Sequence, residues 1–248
     1  TMLIVTINRP ESRNAINPEV AREMVMALTE GSEDDEVRTV VITGAGDKAF
    51  CAGGDLAGGM GAGGAVPQHL ERALISKLFE AMRQLGKPVI ARVNGHALGG
   101  GFGLALACDL IVAADHAELG TPEINIGLWP YVITAVIQRN LPPKVALELM
   151  MLGKRISAAE AARWGFVNRV VPADGLDAAV DEIGAELASK SPMILRLGKD
   201  SFYSAEDMSF RDALRYLENQ LTIGLMAEDA LEGVQAFIQK RPPEWKGR

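Results

Sequence analysis

The stretch GHALGGGFGLALACDL, residues 95 to 110, limits what this chain can fold into more than any other. Three consecutive glycines, Gly99 to Gly101, and a fourth at Gly103 open an apolar, Ala/Leu-rich run that reads as a buried helix. Glycine costs a helix interior about 1 kcal/mol against alanine. A buried helix that begins this way offers bare backbone in return: amides at its first turn and room for close approach. The preceding segment, PVIARV, reads as a strand, so the glycines stand at a strand-to-helix turn. Open α/β sheets place their ligands at such turns.

A second glycine-dense turn, AFCAGGDL (residues 49 to 56), follows the β-branched strand VRTVVITG. Backbone N–H groups at the two turns can converge on a developing negative charge. Residues 53 to 64 hold seven glycines in twelve positions and read as loop. Within them GMGAGG (Gly59, Gly61, Gly64) fits the G-x-G-x-x-G dinucleotide pattern, but no strand leads into it, so the match carries little weight.

Elsewhere, residues 3 to 8 read as a strand that stops at Pro10. Asn17 and Pro18 start a helix as N-cap and first-turn proline, running to Gly31. A helix spans about 66 to 85, and DLIVAADH is a further strand. Beyond residue 140 the pattern turns mostly helical, with a capping box at Ser157 and Glu160, one more strand (FVNRVVP), and helix starts at Ser191 and Ser209. The expected organisation is a strand–helix alternating core over 1–172 and a helical region over 173–248, with no internal repeat in the sequence.

Composition narrows the function classes. A net charge of −7 argues against a nucleic-acid partner, because phosphate neutralisation needs clustered Lys and Arg. Cys51 and Cys108 are the only cysteines and fit a reducing compartment, as small buried residues rather than a disulfide framework. His69, His96 and His116 lack metal-ligand spacing, and His96 reads as a turn or packing residue. The longest uncharged run of interest, residues 93 to 108, is too short and glycine-rich to span a bilayer. The chain opens inside an apparent strand, as a trimmed amino terminus would.

Taken in order, NRPESRNAIN (residues 8 to 17), AFCAGGDL, NGHALGGGFGLALACDLIVAA, GTPEINIGLWP, GFVNRVVP and EGVQAFIQKR resemble the crotonase, or enoyl-CoA hydratase/isomerase, superfamily along essentially the whole chain. The resemblance implies an α/β spiral of ββα turns with a C-terminal helical trimerisation region, assembling as trimers or pairs of trimers. It implies an acyl-CoA or enoyl-CoA thioester as substrate, no further cofactor, and a cytoplasmic location, or the mitochondrial matrix where a presequence has been removed. It assigns the oxyanion hole to the amides of Ala52 and Gly100. Gly53, Gly54, Asp55 and Leu56 would shape the CoA and pantetheine groove, and Lys240 would meet CoA phosphates of a neighbouring subunit.

The carboxylates separate the reactions. Hydratases of this family resemble one another in placing two glutamates around a water. Here the later one is present as Glu123, after Pro122, while the earlier position is Gly103. One carboxylate suffices to move a proton between two carbons through an enolate, so a single glutamate favours double-bond isomerisation. Hydration with one glutamate, another enolate chemistry such as decarboxylation, and a non-catalytic acyl-CoA-binding protein are the alternatives. Gly103 reads either as empty volume that admits a bulky acyl group or as a packing glycine between two elements.

Overall fold

β-Branched and aliphatic residues leave TVVITG no polar face, and every one of its residues is buried. It is the second strand in a computed structural model that describes residues 1–55 and 64–248. The strands are β1 (Met2–Ile7), β2 (Thr39–Gly44), β3 (Ala49–Cys51), β4 (Val89–Val93), β5 (His96–Leu98), β6 (Leu110–Ala114), β7 (Glu118–Gly120), β8 (Arg155–Ser157) and β9 (Arg169–Val171). The helices are α1 (Pro18–Glu33), α2 (Ala65–Gln84), α3 (Gly100–Ala107), α4 (Tyr131–Asn140), α5 (Pro143–Leu152), α6 (Ala158–Arg163), α7 (Leu176–Ala188), α8 (Pro192–Ala205), α9 (Phe210–Leu225) and α10 (Glu228–Gln239).

Two sheets share the work. A parallel sheet runs in the order β1-β2-β4-β6-β9, and a smaller one in the order β3-β5-β7-β8, its last pair antiparallel. From β2 to β7 successive strands alternate between them, so β2-β3-α2, β4-β5-α3 and β6-β7-α4 are three ββα turns of one spiral. The repeat is structural and leaves no trace in the sequence. The crossover after each small-sheet strand brings the tight turns following β3, β5 and β7 to one end of the small sheet.

Local chemistry explains the helix starts. Asn17 accepts from the Val20 amide, Ser157 and Glu160 close a reciprocal capping box, and Ser191 and Ser209 cap α8 and α9. The end expected at Gly31 lies two residues later, at Glu33. Gly31 is instead a close-approach residue, since a methyl group there would stand 2.5 Å from Leu3 Cδ2. Beyond residue 172 the first helix, α7, is part of the core: Leu176, Ala179, Val180 and Ile183 pack on Val41, Ile90 and Val112 of the large sheet. Asp109 anchors α8. Its carboxylate accepts from Lys199 Nζ and the Val89 amide, both at 2.7 Å, and from Tyr203 OH at 2.7 Å.

The helix opened by the glycines is buried from Gly101 to Ala107 and packs against α4. The expectation of empty volume at Gly103 is corrected here. A methyl group on Gly103 would overlap Ile133 Cγ2, with Ile133 Cβ at 2.6 Å and Phe79 Cζ at 3.5 Å. Ile133 is 4% exposed and Phe79 7%, so neither has free space to retreat into. Gly103 is therefore the packing glycine, and Ile133 fills the volume over it. Gly103→Ala, mildly favourable by helix propensity alone, should cost about 1–3 kcal/mol through overpacking when measured by urea unfolding. In an Ile133→Ala background the same Gly103→Ala change should cost less. A Gly103→Ala protein as stable as the parent would refute this contact as the reason for the glycine.

Candidate active site

Three tight turns meet beside the first residue of α3. The turn after β3 carries Gly53 in the left-handed region, at φ +103°. A methyl group built on Gly53 would stand 2.9 Å from the Gly100 amide nitrogen, and one on Gly100 would stand 3.3 Å from the Gly54 amide nitrogen. Both turns must be glycine for their backbones to come this close. The third turn brings Glu123. Gly99, at φ +56°, lies against its carboxyl, because a methyl group there would stand 2.9 Å from Glu123 Oε1.

Hydrogen bonds to neighbouring groups decide which amides remain available. A trans peptide is planar, so its C=O and N–H point in opposite directions. The Gly53 carbonyl accepts from the Ile16 amide at 2.7 Å, which turns the N–H of the same peptide, that of Gly54, away from the Ile16 segment. The Gly99 carbonyl accepts from the Gly103 amide at 3.1 Å, which turns the Gly100 N–H out of the helix's first turn. Among the described residues neither N–H has an acceptor. Ala52 differs. Its amide donates to the Arg13 carbonyl at 3.0 Å, so the expected pairing of Ala52 with Gly100 is corrected to Gly54 with Gly100. Three successive peptides look alike in sequence, and only their partners tell which one faces the site.

Residues 9 to 16 hold this turn in place. Arg13 and Asn14 both adopt positive φ, 51° and 57°, and reverse the chain. The buried Asn14 donates to the carbonyls of Ala49 at 2.7 Å and Ala45 at 3.0 Å, and accepts from the Arg9 amide at 3.1 Å. Asp55 N donates to the Ile16 carbonyl at 2.9 Å, and its carboxylate pairs with Arg9 Nη2 at 2.9 Å. The sequence reading gave these residues no role. Asn14 carried one available signal, since asparagine is enriched among non-glycine residues at positive φ.

Glu123 sits in the first turn of a short 3₁₀ helix, Pro122–Ile126, whose Pro122 fixes the backbone just before it. Its Oε2 is fully buried and has no hydrogen-bond partner among the described residues. Burial raises its pKa above the ordinary glutamate value. The adjacent Thr121 hydroxyl is likewise buried without a partner. A desolvated carboxyl beside two unpaired amides is the arrangement that proton transfer at an activated carbon requires.

The remaining expected residues divide. Leu56 lies outside the described residues, as do Gly59 and Gly61 of the dinucleotide-like stretch. Asp55 pairs with Arg9. Gly103 supports Ile133. Lys240 is an exposed residue in left-handed conformation at the C-terminal end of α10, a helix distant in sequence from the three turns. His96 Nδ1 accepts from the Glu118 amide at 3.1 Å, a packing role. Cys51 and Cys108 are buried, and burial pushes the Cys51 thiol up to about 12. Among the described residues no group of three His, Cys, Asp or Glu could hold a metal, and no helix is long and apolar enough to cross a membrane.

Comparison with known proteins identifies the family. A carnitinyl-CoA dehydratase of Proteus mirabilis is 36% identical, over 100% of this chain and 96% of that protein. One of Salmonella arizonae is 40% identical, over 99% and 95%. The crystal structure of an enoyl-CoA hydratase from Bacillus anthracis superposes with a TM-score of 0.94 at 35% identity, covering 100% of this chain and 96% of that one. The enoyl-CoA hydratase/isomerase family matches residues 1–248. Over its whole length, then, the chain belongs to the enoyl-CoA hydratase/isomerase family.

Proposed function

We propose that the protein moves a proton on an enoyl-CoA thioester through an enolate, with Glu123 as the acid/base and the Gly54 and Gly100 amides as the oxyanion hole. The observation that carries this reading is the Glu123 carboxyl, its Oε2 buried without a partner among the described residues, close to two amides with no acceptor among them. With a 3-enoyl thioester, ionised Glu123 takes a proton from C2. The negative charge moves to the thioester oxygen, where the two N–H groups donate to it. Glu123, now neutral, returns the proton at C4, and the double bond comes to lie between C2 and C3. The steps need proton transfer and charge stabilisation only, with CoA as part of the substrate.

Position 103 supports isomerisation over efficient hydration, because Ile133 occupies the volume where a second carboxylate would hold water. A second reading is favoured by the relatives named carnitinyl-CoA dehydratase. There Glu123 would take the C2 proton of a 3-hydroxyacyl thioester and return it to the hydroxyl leaving C3 as water. A panel of matched 3-enoyl, 2-enoyl and 3-hydroxyacyl thioesters, resolved by chromatography, separates the two by product.

The same reading includes assembly. Phe210 (81% exposed), Met226 and Phe237 (84% exposed), on and beside α9 and α10, are large apolar side chains left in solvent, which suits a trimer or a pair of trimers. In that assembly Lys240 would reach the CoA phosphates bound by a neighbour. Light scattering should give three or six times the 26.5 kDa chain mass; a monomer refutes the assembly.

Glu123→Gln should keep thioester binding and lose about 10²- to 10⁴-fold in turnover. In the parent, kcat/KM should fall on the acid side with a midpoint above the ordinary glutamate value, because burial raises this carboxyl. The same shift acts on stability. A folded-state pKa above the unfolded one favours folding most below the unfolded value, and the advantage is lost as pH rises through the folded value. Glu123→Gln should therefore raise Tm relative to the parent more at pH 8 than at pH 4. Parent-like turnover in Glu123→Gln removes Glu123 from the mechanism.

A further inference from the structure

Gly53 is the pivot of the first donor. Its φ of +103° sets where the next peptide, which carries the Gly54 N–H, points, and glycine has no side chain to hold that angle. The residue is held through its two backbone groups instead. Its carbonyl accepts from the Ile16 amide at 2.7 Å, and its amide donates to Cys51 Sγ at 3.4 Å. The sulfur also lies 3.9 Å from the Gly53 carbonyl. A serine or threonine hydroxyl makes the same turn with the amide two residues on; here a thiol makes it. Successive amides are thereby sorted: that of Ala52 goes to Arg13, that of Gly53 to Cys51, and that of Gly54 has no acceptor among the described residues.

The other side of Cys51 faces the second donor. A methyl group on Gly101, the residue after Gly100, would stand 2.8 Å from Cys51 Cβ and would overlap the Cys51 carbonyl. The first turn of α3 thus rests on the body of Cys51, while the Cys51 sulfur holds the turn of the first donor. Cys51 is fully buried, and its thiol, pushed up to about 12, stays neutral at ordinary pH. The sulfur accepts the amide without bringing a fixed charge.

We propose that Cys51 is a positioning residue for the reaction: by accepting the Gly53 amide, its sulfur holds Gly53 at the angle that presents the Gly54 N–H beside that of Gly100. The inference rests on the enolate reading above. It differs from a packing role in one consequence. Packing needs only volume at position 51, whereas positioning needs an acceptor atom there.

The experiment uses two pairs of variants, assayed on the thioester that the parent turns over in the panel described above. Cys51→Ser keeps an acceptor that Cys51→Ala lacks. Cys51→Thr and Cys51→Val share a shape and differ only in the hydroxyl. Cys51→Ala and Cys51→Val should lower kcat at least about tenfold, short of the roughly 10²- to 10³-fold of losing a donor outright. KM should stay nearly unchanged, because the donor acts on charge that develops only in the transition state. Cys51→Ser should keep most of the parent kcat, and Cys51→Thr should be clearly faster than Cys51→Val. Circular dichroism gives the Tm of each variant, and rates are taken well below it.

Either pair alone decides. Equal kcat within a pair overturns the proposal, as does a parent-like kcat in Cys51→Ala or Cys51→Val. An apolar variant that fails to fold where its hydroxyl counterpart folds also overturns it, because the sulfur would then serve the fold and not the rate. Glu123→Gln is assayed alongside. If that variant turns over like the parent, the enolate reading fails and takes this inference with it. If it is inactive while Cys51→Ala is parent-like, only the role of Cys51 fails.

Discussion

The site depends on the planarity of two peptide groups. Each has its carbonyl held by a backbone N–H, that of Gly53 by Ile16 and that of Gly99 by Gly103, and each must then present its own N–H on the far side. The glycines let two such peptides approach until a single methyl group on Gly53 would crowd the Gly100 nitrogen. Glu123 completes the arrangement from a third turn, and the burial that raises its pKa comes from the same close packing. Preorganisation of this kind matters because dipoles already in place cost nothing to reorient when charge develops.

Much of the fold was legible in the sequence. Asn17, Ser157, Ser191 and Ser209 announced helix starts by side-chain chemistry that acts within three residues, and the structure has all four. Gly31 misled because its reason is a tertiary contact with Leu3, which no local pattern encodes. The second sheet escaped notice for a similar cause. Its strands are three residues long, too short for alternation to show, and exist only because the spiral stacks them.

The site was legible in its residue types and less so in its geometry. Glu123, Gly54 and Gly100 were all within reach of the sequence, yet the donor was assigned to Ala52. Which of several consecutive amides faces a ligand depends on partners some forty residues away, here Arg13 and Ile16. Gly103 shows the reverse ambiguity. A glycine reads equally as a vacancy or as the footprint of a neighbour, and the neighbour, Ile133, sits on another helix. The missing second carboxylate and the bulky residue on α4 are thus one feature seen from two sides.

The dispersal of the site along the chain bears on how the protein acquires activity as it folds. Donors come from the turns at 53–54 and 99–100, the carboxyl from 123, and the segment that orients the first donor from 9–16. Every link among them closes a long loop, and contacts of that kind must overcome closure entropy before they return any stabilisation. Helices with strong local caps, such as α8 and α9, have no such debt. A chain with its helices formed and its sheets partly paired would have the secondary structure of the native protein and no oxyanion hole. Competence for the proposed reaction therefore requires these long-range contacts, and helix content does not report them.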